Sequence, residues 1–163
     1  MRFFDEGIII EIRPSSEKRF FIKVFSKENG CIKGVTHKKV DLGQRIFFDY
    51  SVKNHDQLGF IKIHQNVVLL FAFSLSPFVA STCQLLSQFL CEQSPDPLLY
   101  DHVFMLFSEK LMQSKGFYIW FEERLLQHLG FELSLETCAV TYTKHDLIYV
   151  SPKTGDQSTS NQR

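Results

Sequence analysis

The stretch RFFIKVFSKENGCIKGVTHKK, Arg19 to Lys39, decides the reading of the fold. Two apolar runs, each of strand length, flank the polar segment SKENG. Asn29 and Gly30 both tolerate positive φ, so a tight reversal between two strands is favoured there. The same hairpin is studded with lysine, although the chain is formally neutral, with 18 Lys and Arg against 18 Asp and Glu. Working outward, Gly7 to Ile12 (GIIIEI) is short, β-branched and bounded by Gly7 and Pro14. Arg45 to Val52 (RIFFDYSV) places Ile46, Phe48, Tyr50 and Val52 on one face of a strand, and Leu58 to His64 (LGFIKIH) makes a fifth strand. Five short strands joined by turn signals predict a small closed barrel rather than a parallel sheet. Closure also removes the edges that strands so rich in Phe would otherwise expose.

The second half changes period. Ser76-Pro77 pairs a capping residue with proline at a first helical position. Val79, Cys83, Leu86 and Leu90 then recur at helical spacing. Ser94-Pro95-Asp96-Pro97 breaks that helix, and a second begins at Asp96 or Pro97, carrying Tyr100, Phe104, Phe107 and Leu111. A third runs from about Gly116 to Leu129 and stops at Gly130, with Phe117, Trp120, Phe121, Leu125 and Leu129 on one stripe. Short connections predict a compact bundle of three helices, and Val67 to Phe73 reads as a further short helix leading into it. The fold class is therefore α+β: a barrel over residues 1–65, a helical domain over 66–131, and an irregular segment over 132–163. The end of that segment, Ser151 to Arg163, is polar enough to predict a disordered tail.

With 163 residues, 44% hydrophobic and 22% charged, the composition is that of an ordinary globular protein able to bury a core. No apolar run approaches the roughly 20 residues of a membrane span. Acids follow closely on the N-terminal MRFF, where an export signal would be apolar, so a cytoplasmic location is expected. The four cysteines, Cys31, Cys83, Cys91 and Cys138, form no CxxC pair and read as reduced thiols. Phosphate-loop, dinucleotide-loop, nucleophile-elbow and zinc-protease patterns are all missing from the sequence, which predicts no enzyme and no cofactor. His128 beside Glu122 and Glu123 reads as a solvated helix face.

Charge is the one pattern above background. Residues 1–75 hold 12 Lys and Arg against 8 Asp and Glu, a net of +4, and residues 76–163 hold 6 against 10, a net of −4. Between Arg13 and Arg45 the count is 9 against 3, or +6. Clustered cations on a small barrel suit a polyanion, because phosphate contacts release counterions and surface aromatics stack bases. The candidate nucleic-acid-binding residues are Arg13, Lys18, Arg19, Lys23, Lys33, Lys38 and Lys39, with Lys27 in the same set. Strand alternation puts some of them on the opposite face. A protein-interaction module with a purely structural barrel, and an RNA-binding barrel, are the competing readings.

Several stretches resemble RecO, the bacterial recombination mediator, in its alphaproteobacterial form: DEGIIIEIRPSSE at Asp5 to Glu17, the KENG turn ending at Gly30, LLQHLGFELSLETCAV at Leu125 to Val140, and DLIYVSPKTG at Asp146 to Gly155. The resemblance implies an OB-fold barrel followed by a helical domain. It implies binding of single- and double-stranded DNA, strand annealing, and loading of RecA together with RecR, without catalysis. It also implies an apolar groove in the helical domain for the acidic tail of single-strand-binding protein. Phe104, Phe107, Trp120, Phe121 and Leu125 supply apolar surface for such a groove, most of them as bundle core, and Lys110, Lys115 and Arg124 are the partner-binding cations. Ser16 stands where the family has glycine, and the glycine before the family's basic cluster is replaced near His37-Lys38-Lys39. Many relatives carry a four-cysteine zinc site; here Thr141 follows Cys138 in place of the second cysteine, so no metal is expected. Relatives run on past the SPKTG match, so the resemblance implies a form shortened at its C-terminus.

Overall fold

A computed structural model describes residues 1–16, 18–53, 57–64, 77–108, 115–131, 134–138, 140–145, 147–150 and 156–159. The expected helix at Val67 to Phe73, the Ser76 cap and Lys110 lie outside the described residues. The chain divides into two compact units, Met1–Tyr118 and Ile119–Arg163.

In the first unit, β1 (Arg2–Ser16), β2 (Arg19–Ser26), β3 (Gly30–Thr36), β4 (Arg45–Ser51) and β5 (Gly59–Ile63) close a barrel in the order β1-β2-β3-β5-β4. All pairings are antiparallel except β3 with β5. This is an OB-fold barrel. β1 is twice the length that its apolar core suggests because it serves two partners: Arg2 to Ile8 pair with β4, and Gly7 to Ser16 pair with β2. A register shift between Ile9 and Glu11 bends the strand from one neighbour towards the other. Alternation fills the barrel with Ile9, Ile22, Val24, Ile32, Ile46, Phe48, Tyr50 and Ile61.

The hairpin at SKENG turns differently from the sequence expectation. Gly30 takes the left-handed conformation at φ 69°, while Asn29 does not. Ser26 pairs with Gly30 across a three-residue loop, the hairpin form in which glycine supplies the one left-handed residue. Asn29 contributes its side chain instead, donating from Nδ2 to Asp5 Oδ2 at 2.7 Å. A Cβ on residue 30 would also lie 2.4 Å from the Ser94 backbone, so only glycine fits.

Three helices follow: α1 (Pro77–Phe89), α2 (Pro97–Ser108) and α3 (Lys115–His128). Asp96 caps α2, its Oδ1 accepting from Leu99 N at 2.7 Å, with Pro97 at the first position. α3 closes at Gly130, whose φ is 78°. Gly130 N donates to Gln127 O at 3.0 Å and Phe131 N to Leu126 O at 2.8 Å, which satisfies two terminal carbonyls.

The C-terminal reading needs correction. In the second unit β6 (Ser134–Cys138), β7 (Leu147–Val150) and β8 (Asp156–Thr159) form a sheet in the order β6-β8-β7. β8 reads DQST, within the stretch expected to be disordered. It has no apolar alternation for a sequence pattern to register; its order comes from backbone pairing with both neighbours. Among the described residues no helix is long and apolar enough to cross a membrane.

Candidate nucleic-acid interface

Every second residue of a barrel strand faces outward, and the helices decide which outward faces remain open. Over the part of β1 that pairs with β2, and over β2 and β3, the outer face is covered. Cys83 of α1 donates from Sγ to Ile9 O at 3.7 Å, and Ser87 Oγ donates to Glu11 Oε2 at 2.5 Å. Phe25 of β2 meets Tyr100 of α2 edge to face, with ring centroids 5.5 Å apart. The segment between α1 and α2 docks on β3, where Gln93 N donates to Cys31 O at 3.1 Å.

Three of the seven candidate cations point to this covered side. Lys23 is only 6% exposed, and its ammonium donates to the Ser87 carbonyl. It faces Lys33 across the β2–β3 ladder, and Lys33 is ion-paired with Glu92. Arg13 is exposed but ion-paired with Glu11. Lys27 sits between Glu6 and Asp101, and Arg45 is paired with Glu6. The Arg45 guanidinium also lies over the Phe104 ring, 4.8 Å from its centroid. Arg13 is paired within its own strand; the others are occupied in holding helices, turns and strands together.

The other four candidates gather at one end of the barrel. Lys18 and Arg19 sit at the β1–β2 turn, and Lys38 and Lys39 follow the end of β3. The β2–β3 register opposes Phe20 to Thr36, which brings the two segments side by side. His37 Nδ1 lies 3.0 Å from the Lys18 carbonyl and ties them together. Lys18, Arg19 and Lys39 are exposed and make no ion pair among the described residues. Lys38 reaches over the barrel end and donates from Nζ to the His64 carbonyl at 2.9 Å. Four cations, none of them neutralised by a described carboxylate, are what a phosphate backbone needs.

From that end runs a second open surface, the outer face of β1, β4 and β5. It carries aromatic rings rather than the usual polar residues. Phe4 is 60% and Phe60 38% exposed. Phe4 lies nearly parallel to Phe47, at 10° with centroids 6.4 Å apart, and meets the His64 ring at 5.5 Å. His37 meets Phe60 at 5.6 Å. Phe4, Phe60, His37 and His64 stand outside the candidate set that charge alone defines, and the two histidines have no ligand spacing in the sequence. The signal was in GFIKIH, where Phe60, Lys62 and His64 alternate with the buried Ile61 and Ile63, so a large ring falls on the polar side of the strand.

Of the partner-binding cations, Lys110 is outside the described residues and Lys115 is the first residue of α3. Arg124, in the second unit, donates from Nη1 to Gln127 Oε1 at 2.8 Å and lies over the Trp120 ring at 6.0 Å. Phe107, Phe121 and Leu125 are buried; these three are core side chains, while Phe104 and Trp120 are partly open. Around Cys138 the chain folds back on itself, with Thr141 N donating to the sulfur at 3.4 Å. Among the described residues no group of three or more His, Cys, Asp or Glu is placed to hold a metal.

Barrel order, helical extension and cationic end define an OB-fold protein with a covered and an open side. The family model for the recombination protein O C terminal matches residues 76–162. The chain is 32% identical to the DNA repair protein RecO of Wolbachia sp. subsp. Drosophila simulans (strain wRi), over 95% of this chain and 70% of that protein. It is 33% identical to RecO of Wolbachia pipientis wMel, with the same two coverages. Against RecO of Rickettsia canadensis it is 31% identical over 95% of this chain and 69% of the relative. The chain belongs to the RecO family of DNA repair proteins.

Proposed function

We propose that this protein binds single- and double-stranded DNA through the open end of its barrel, promotes annealing of complementary strands and, with RecR, assists RecA loading in recombinational repair. The observation that carries this reading is the division of the barrel's cations. Those on the helix-covered side are paired with carboxylates or carbonyls, whereas Lys18, Arg19 and Lys39 stand free of described acids beside Lys38. Cations left unneutralised at one end attract a polyanion, and release of its counterions supplies the binding free energy.

The role is non-catalytic: the protein brings strands and partners together. The partly open surface around Arg124 and Trp120 is proposed to receive the acidic tail of single-strand-binding protein, the guanidinium meeting its carboxylate. DNA as the ligand places the protein with the nucleoid in the bacterial cytoplasm.

The test is a titration of labelled DNA at several salt concentrations. Lys38→Ala with Lys39→Ala should weaken binding to all sequences alike and flatten the salt slope by up to about 1 for each phosphate left without its cation. Unchanged affinity and slope would remove this pair from the interface. Tighter binding of RNA than of DNA in competition would favour an RNA ligand, and no affinity for either would leave the barrel a scaffold for protein partners.

A further inference from the structure

We infer that the open outer face of β1, β4 and β5 is a base-stacking platform that selects unpaired strands over duplex. The inference rests on the DNA-binding reading above but concerns different residues and different chemistry. The surface most often used by OB-folds, the outer side of β2 and β3, is taken here by α1, α2 and their connection. The open face is the one left, and its composition is unusual for a solvent-facing sheet.

Two aromatic stations stand on it. One is Phe4 with Phe47 and His64; the other is Phe60 with His37. Phe60 and His64 are four residues apart on and just after β5, so at ~3.3 Å per residue the stations are separated by about 13 Å. That matches roughly four nucleotides of a strand stacked at ~3.4 Å. Beyond Phe60 the face opens into a cleft of about 580 Å³, with Leu58 and Val52 as apolar lining and Arg2 and Lys53 at its margin. Lys62 lies between the two stations on the same strand face.

Charge decides what could lie there. Each acid that faces this surface lies beside a basic side chain. Asp49 is 3.3 Å from His64 Nε2 and sits opposite Lys62 in the ladder. Glu6 is paired with Arg45 and Lys27. Arg2, Lys53 and Lys62 are exposed and carry no ion pair among the described residues. An apolar protein segment would gain from the rings but leave those cations unmatched. A single strand meets both needs, placing bases on rings and phosphates against cations. A closed duplex cannot, because its base faces are stacked on one another and only phosphates, sugars and groove edges reach the surface.

The experiment compares a fluorescent oligothymidylate of about 16 nucleotides, the upper site size of one OB-fold, with a blunt duplex of equal phosphate count. Phe4 and Phe60 are exposed, so replacing them leaves the core intact, and a matching unfolding midpoint verifies this. Phe4→Ala with Phe60→Ala should lower single-strand affinity about tenfold for each ring. The salt slope and duplex affinity should stay within about twofold of wild type, since every phosphate keeps its cation. Phe60→Trp should retain affinity, and its added indole emission should be quenched on binding. Unchanged single-strand affinity in the double variant, or an equal loss on duplex, overturns the platform while leaving DNA binding standing. A wild-type protein that binds neither probe overturns the parent reading instead.

Discussion

Asp5 anchors the β2–β3 hairpin to β1, and its removal should be strongly destabilising. The side chain is 5% exposed on β1. Its Oδ1 accepts from Glu6 N at 2.7 Å. Its Oδ2 accepts from Asn29 Nδ2 at 2.7 Å, from Glu28 N at 3.2 Å and from the buried Ser26 hydroxyl. Ser26 Oγ in turn accepts from Asn29 N at 3.2 Å. One carboxylate therefore ties the SKENG loop to a strand more than twenty residues earlier. Hydrogen bonds to a charged group are worth ~1.5–3 kcal/mol each, and the partners of a deleted acceptor are left desolvated without compensation. Two of the four donors belong to loop residues that water can reach after truncation, so about two full bonds are lost. Asp5→Ala should then cost ~4 kcal/mol. At ~2–4 °C per kcal/mol for a chain of this size, the melting midpoint should fall by about 8–16 °C. Asp5→Asn keeps the acceptor for the loop donors and sets an amide N–H against Glu6 N–H, so it should cost ~1–2 kcal/mol. Far-UV circular dichroism melts and urea titrations at unchanged m-value measure both. An Asp5→Ala protein that unfolds within about 1 kcal/mol of wild type would refute the anchoring role.

Two further outcomes separate occupied groups from available ones. Lys23→Met should leave DNA affinity and its salt slope unchanged, because the side chain is buried, with its ammonium held by the Ser87 carbonyl; a slope reduced by about 1 would show that Lys23 reaches phosphate after all. Burial pushes the Cys31 thiol up to about 11 and the Cys83 thiol to about 12, whereas Cys91 is exposed. Only thiolates react quickly, so at about pH 8 roughly one Cys31 in a thousand is reactive, and a chromogenic disulfide reagent should modify Cys91 first. The same shifts have a sign for stability. The unfolded thiols ionise near 9 while the folded ones keep their protons, so the stability present below pH 9 should drain away as pH rises towards 11. Rapid modification of all four thiols in the native protein would contradict this.

Local pattern alone determined much of this protein. Apolar, β-branched runs bounded by turn signals located all five barrel strands, and Pro77, Asp96-Pro97 and Gly130 marked helix ends that the structure retains, because runs, turns and caps depend on neighbours in the chain. The excess of +6 between Arg13 and Arg45 was equally plain. Its division was not. Whether a lysine is free or engaged depends on which helix crosses which strand, and α1 and α2 follow more than fifty residues after Lys23. Tertiary packing therefore assigned Lys23 and Lys33 to the covered side and left Lys18, Arg19, Lys38 and Lys39 at the open end. It also brought Phe4 from the N-terminal strand beside His64 from the end of β5, a neighbourhood that only barrel closure creates. And β8, with no apolar residue to announce it, owes its place to backbone hydrogen bonds that no side-chain pattern records.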